Sequence, residues 1–176
     1  MHRLRLPRDL PPARHRMAGF TLIELMVTLT VIAVLGMVAV PSFNQAFLSN
    51  RLTGYANSFA ASATYARSEA IKRNSTVTLC RSGDGATCAT SGGWQQGWIV
   101  LAGTSTVLQK QGALASGYHM TGDNYSIVFQ PTGVGATDST LVLCRATPSA
   151  GSQERQLRVT ATGRVNITKT TLGTCA

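Results

Sequence analysis

The sequence predicts an α+β fold in which one long N-terminal α-helix, membrane-spanning at first and amphipathic afterwards, packs on an antiparallel β-sheet head. Three observations predict it. Residues 20–40 form an apolar run in which Glu24 is the only formal charge, an amphipathic period then continues to Arg73, and from Thr76 onward short β-like runs are broken by glycine. A chain of 176 residues, 44% hydrophobic, supports one folded head plus an appendage.

The N-terminal run comes first. As a helix it spans roughly 30 Å at about 1.5 Å per residue, the thickness of a bilayer core. A cleaved secretory signal places its small-residue cut after the apolar region, whereas Gly19 precedes it. The net charge of +9 is uneven: Arg3, Arg5, Arg8, Arg14 and Arg16 stand against Asp9 in the leader, and eleven basic and six acidic residues follow. Arginines ahead of the apolar run hold that end in the cytoplasm, so the head is exported. Glu24 is costly in an apolar helix and calls for a partner. A new amine at Phe20 on a neighbouring chain is one; the positive end of its own helix is another.

Gly19-Phe20-Thr21-Leu22-Ile23-Glu24 with the apolar run behind it closely resembles the class III signal of type IV prepilins and type II secretion pseudopilins. The resemblance implies that a prepilin peptidase cuts between Gly19 and Phe20 and methylates Phe20, and that Glu24 registers each subunit against its neighbour. Pro41 also matches the family; it removes a helix hydrogen bond and permits a kink or local melting. The expected organisation is a leader at residues 1–19, a transmembrane and assembly helix at 20–41, and a periplasmic pilin-like head at 42–176 that includes the second half of the long helix. The expected partners are other pilins or pseudopilins, the prepilin peptidase and the inner membrane, with incorporation into a pilus or pseudopilus after processing.

Past Pro41, Leu48, Leu52, Tyr55, Phe59, Ala63, Ala66 and Ala70 recur at three- and four-residue steps and predict a stripe buried under the head. Its small residues allow close approach of a sheet, and Gly54 is a weak point that suggests a bend. Strands are expected at residues 76–81, 97–101, 118–121, 126–130, 140–145 and 156–167, assembled most simply as one antiparallel sheet, with a loop at 82–93. Trp94 and Trp98 in the run GWQQGWIV, and Pro131 and Gly133 in FQPTG, read as core aromatics and turn chemistry. These two segments resemble the GW-rich strand and F-x-P-x-G turn of FimT/GspH minor pilins.

Cys80, Cys88, Cys144 and Cys175 all fall in the exported part, which predicts disulfides. Cys80 with Cys88 would close the polar loop and Cys144 with Cys175 would tie down the chain end; the repeated Leu-Cys-Arg at 79–81 and 143–145 leaves a strand-to-strand bridge open. Zinc is disfavoured, for there is no C-x-x-C pair and no adjacent histidine. Enzymatic activity is disfavoured too: beyond the leader the chain has one histidine, His119, scattered acids, and no P-loop, GxSxG or HExxH. No cofactor is expected.

At the C-terminal end, alternation puts Leu157, Val159, Val165 and Ile167 on one face and Arg158, Thr160, Arg164 and Asn166 on the other. Facing residues share a side only if the loop is odd, which predicts a three-residue turn of Ala161, Thr162 and Gly163, with Arg158 opposite Asn166. Arg155, Arg158, Arg164 and Lys169 form a candidate basic ribbon. FimT-like minor pilins of competence pili are DNA receptors with a C-terminal G-R-x-R motif, and the resemblance implies DNA as a partner. This chain departs from the motif at Asn166, and Arg158 across the hairpin sets charge beside the vacant position. A charged edge that prevents strand aggregation explains the same residues. Three functions follow: a FimT-like minor pilin of a type IV pilus, initiating or capping the fibre; a GspH-like minor pseudopilin of type II secretion; and a membrane-anchored periplasmic binding module.

Overall fold

Helix α1 runs Leu22–Arg73, with both Pro41 and Gly54 inside it. The structure, a computed structural model, describes residues 19–134, 137–146 and 153–171. The chain divides into two compact units, Met1–Ser42 and Phe43–Ala176. The helix ends by local chemistry: Lys72 and Arg73 lie in the last turn, Asn74 takes a left-handed φ of 49°, and the amides of Asn74 and Ser75 close back on the carbonyls of Ile71 and Ala70 at 3.2 Å each. This is the Schellman pattern, with asparagine tolerating the conformation that usually selects glycine. Glu69 anchors the same end, its carboxylate 2.6 Å from Arg73 and 3.7 Å from Lys72. The Arg73 hydrogen bond holds that carboxyl below its ordinary range.

Eight strands follow: β1 (Val77–Arg81), β2 (Trp98–Ala102), β3 (Thr106–Gln111), β4 (Tyr118–Gly122), β5 (Ser126–Phe129), β6 (Ser139–Arg145), β7 (Glu154–Val159) and β8 (Val165–Thr170). They make two four-stranded antiparallel sheets, β3-β2-β1-β5 and β4-β6-β7-β8, rather than one. The sequence reading also missed β3. That strand lies at a sheet edge, has no buried residue, and joins β2 through a register shift at Val100/Leu101, so it lacks a clean alternating signal.

Both sheets share one core with the helix. Leu48, Leu52, Ala56, Phe59, Ala63, Ala66 and Ala70 from α1 pack with Leu79, Trp98, Val100 and Phe129 of the first sheet and Met120, Leu141, Leu143, Leu157 and Val159 of the second. Phe59 sits edge-on to two indoles, with ring centroids 5.3 Å from Trp94 and 5.5 Å from Trp98. Each indole N–H has a partner: Trp98 donates to Ser62 Oγ at 3.0 Å and Trp94 to the Asn124 carbonyl at 2.9 Å. Gly97 between the tryptophans is obligatory, for it has φ 114° and a Cβ there would lie 2.6 Å from the Gln111 carbonyl oxygen.

The outer face of the first sheet carries a second apolar cluster of Cys80, Ile99 and Leu101, onto which Cys88 packs. A disulfide joins Cys80 and Cys88. In the chain-entropy account, closing so short a loop contributes about 2.5 kcal/mol. Arg81 holds the same loop by donating to the carbonyls of Ala89, Thr90 and Gly92. Cys144 is also disulfide-bonded; Cys175, its expected partner, lies outside the described residues.

Replacing Phe59 by alanine empties the space between the two indoles and should cost about 3–5 kcal/mol. Urea unfolding of the detergent-solubilised protein, followed by tryptophan fluorescence, measures it; a loss below about 1 kcal/mol would contradict this packing.

Candidate functional site

Two regions concentrate the sequence-predicted site residues: the start of α1 and the β7–β8 hairpin.

At the start of α1, Thr21 precedes the first helical residue and its Oγ1 accepts a hydrogen bond from the Glu24 amide at 3.3 Å. The Thr21-x-x-Glu24 spacing is that of a capping box, so Thr21 has a local role that the sequence reading did not assign. The following turns are apolar and uncovered on every side, with Leu22, Ile23, Leu25, Met26, Val27, Leu29, Val31, Ile32, Val34, Leu35 and Met37 all exposed. An all-round apolar helix left open needs an apolar environment. Among the described residues no helix is long and apolar enough to cross a membrane.

At the hairpin, β7 and β8 pair with Arg158 opposite Asn166 and Val159 opposite Val165, as the odd loop requires. Thr160 donates to the Arg164 carbonyl at 2.9 Å, and Gly163, at φ 74°, donates to the Thr160 carbonyl at 2.7 Å. The four basic residues are not equivalent. Arg158 is exposed but sits 3.4 Å from the exposed carboxylate of Asp138, which offsets its charge. Arg164 and Lys169 are exposed.

Arg155 departs from the expected ribbon. It is 6% exposed and points to the helix, donating through Nη2 to Ser49 Oγ at 2.9 Å, Thr53 Oγ1 at 3.1 Å and the Ser49 carbonyl at 3.3 Å. Nη1 donates to the Glu154 carbonyl at 3.0 Å. Burial lowers its pKa from the usual arginine value. Arg155 thus ties sheet to helix and offers nothing to a ligand. The signal was present in the sequence: position 155 shares its strand face with Leu157 and Val159.

Nothing among the described residues assembles a reaction centre. No group of histidines, cysteines and carboxylates there could hold a metal ion. Asp84, in a shallow cleft with Lys110 and Gln96, accepts from the Thr87 hydroxyl at 2.6 Å, the Ala86 and Thr87 amides and the Ser82 hydroxyl. Those bonds, the Thr87 hydroxyl foremost, hold its carboxyl well below the usual range, unsuited to proton transfer near neutral pH.

Residues 55–163 match the family described as type II transport protein GspH, and residues 14–40 match the prokaryotic N-terminal methylation motif. The chain belongs to the GspH family. GspH-family membership makes it a minor pilin or pseudopilin, and family and fold are those of structural proteins of that kind. Two crystal forms of the type IV minor pilin FimU of Pseudomonas aeruginosa share the fold. In them the identities are 20% and 21% and the TM-scores 0.51 and 0.54, over 66% and 68% of this chain and 92% and 90% of theirs. The minor pseudopilin EpsH from the type 2 secretion system of Vibrio cholerae shares it at 14% identity and a TM-score of 0.50, over 67% of this chain and 96% of its own. No curated relative matches the chain.

The two arginines of β7 should therefore respond differently to substitution. Arg155→Gln should lower stability by about 1–3 kcal/mol by leaving the helix and sheet acceptors unpaired, whereas Arg158→Gln should stay within about 0.5 kcal/mol. Urea unfolding of both variants checks this, and equal effects would contradict the assignment.

Proposed function

We propose that the protein is a FimT-like minor pilin of a type IV pilus that initiates or caps the fibre and contacts DNA through its exposed hairpin. The observation that carries this reading is the uncovered apolar helix that opens at Leu22, two residues after Phe20, with Glu24 in its first turn, in a chain whose remainder belongs to the GspH family. In this reading the leader ends at Gly19, Phe20 receives the methyl group, and residues 20–40 anchor the subunit in the inner membrane until assembly. The head faces the periplasm, and α1 packs against neighbouring subunits. Glu24 meets the amine of an adjacent Phe20, an attraction strengthened by low-dielectric surroundings. Pro41 and the disulfide at Cys144 and Cys175 serve assembly and head stability. Arg164 and Lys169, with Arg158, supply the positive surface for phosphates.

The family's own description supports a second reading, a GspH-like minor pseudopilin of type II secretion whose head contacts protein partners. The N-terminal chemistry is the same in both.

Mass analysis of the protein extracted from membranes should find a chain beginning at Phe20 and carrying one added methyl group. A start well past Val40, or uncut precursor beside an active prepilin peptidase, would remove the filament role. Deletion should abolish twitching and transformation and spare protein secretion; loss of secretion alone would select the pseudopilin reading.

A further inference from the structure

Strand β3 lies at the edge of the first sheet, and among the described residues its far side pairs with no strand. Two other edges are engaged locally: the Val128 amide of β5 donates to Thr137 Oγ1 at 3.3 Å, and the Met120 amide of β4 donates to Gln95 Oε1 at 3.2 Å. An open edge presents a row of backbone donors and acceptors on which an extended chain can pair. The register with β2 fixes what flanks that row. Gln109 and Gln111 oppose Val100 and Trp98 and so share the inner face, and Leu108, left without a partner at the register shift, packs on the same core. Val107 and Lys110 oppose Leu101 and Ile99 and lie on the outer face. On the inner side, Leu108 and Gln109 form an open groove of about 330 Å³ with Ala61 and Tyr65 of α1. On the outer side, Lys110 lines a cleft, also of about 330 Å³, with the 82–85 loop and Gln96. Lys110 is exposed and forms no ion pair among the described residues. The carboxylate in its cleft, Asp84, is taken up by its own loop.

We propose that the edge of β3 is a docking site for an extended segment of a partner protein in which an acidic residue alternates with an apolar one. This role goes beyond helix-driven assembly and DNA contact and depends on neither. A strand added to β3 sends successive side chains to opposite faces. The residue opposite Lys110 points outward and meets a cation without a counter-charge, which selects an acid. The next one, opposite Gln109, points inward over the groove lined by Tyr65 and Leu108, which selects an apolar side chain. A lysine on a sheet edge ordinarily keeps other strands away. Here it admits the strand that brings the opposite charge and rejects one that brings its own.

The test uses the full chain in detergent micelles and a short, blocked, fluorescein-labelled peptide that alternates valine and glutamate, with binding read by anisotropy. The peptide should bind, and its counterpart with lysine in place of glutamate should bind about tenfold more weakly. Lys110→Glu, a change at an exposed side chain, should reverse that preference. A peptide methylated on every second amide nitrogen, which cannot pair along the edge, should not bind. In the unsubstituted protein, hydrogen exchange followed by mass spectrometry should show Thr106–Gln111 slowed by the valine-glutamate peptide, while β8, at the edge of the other sheet, is unchanged. No binding, equal binding of the two charged peptides, a preference that survives Lys110→Glu, or slowed exchange elsewhere than β3 overturns the proposal. Slowing of β3 that grows with protein concentration in the absence of peptide would put a second copy of the chain on this edge, and overturns the proposed partner.

Discussion

Burial of one face of α1 under both sheets is the interaction on which the head depends. Ala56, Ala63, Ala66 and Ala70 are fully buried, and Phe59 fills the space between two indoles. Both four-stranded sheets contribute their inner residues to the same cluster as that helix. The stripe sits in the second half of α1, so the element that organises the head is continuous in sequence with the segment that carries the methylation motif.

The rest of the head manages what the helix cannot cover. The outer face of the first sheet would expose Ile99 and Leu101, and the loop closed by Cys80 and Cys88 and held by Arg81 lies over them. Polar ties then fix the helix to the second sheet. Arg155 takes three acceptors from Ser49 and Thr53, a buried cation whose hydrogen bonds specify where strand β7 meets α1.

Much of this was legible in the sequence. The helix stripe was readable because small and apolar residues recur at three and four, and the hairpin register because alternating faces demand an odd loop. Pairing between distant strands is not written in local periodicity, so two sheets were read as one, and the exposed edge strand β3 carried too little alternation to be seen. Arg155 was misplaced because its charge was weighed above its position, although the period of two puts it inward.

Hydrogen exchange of the detergent-solubilised protein tests the central claim most directly. If α1 is the common core element, amides of residues 52–70 should exchange only by global unfolding, at the same free energy as those of β1, β2, β6 and β7. Helix amides that exchange well before the strands would show that the sheets stand without the helix, and would contradict the account.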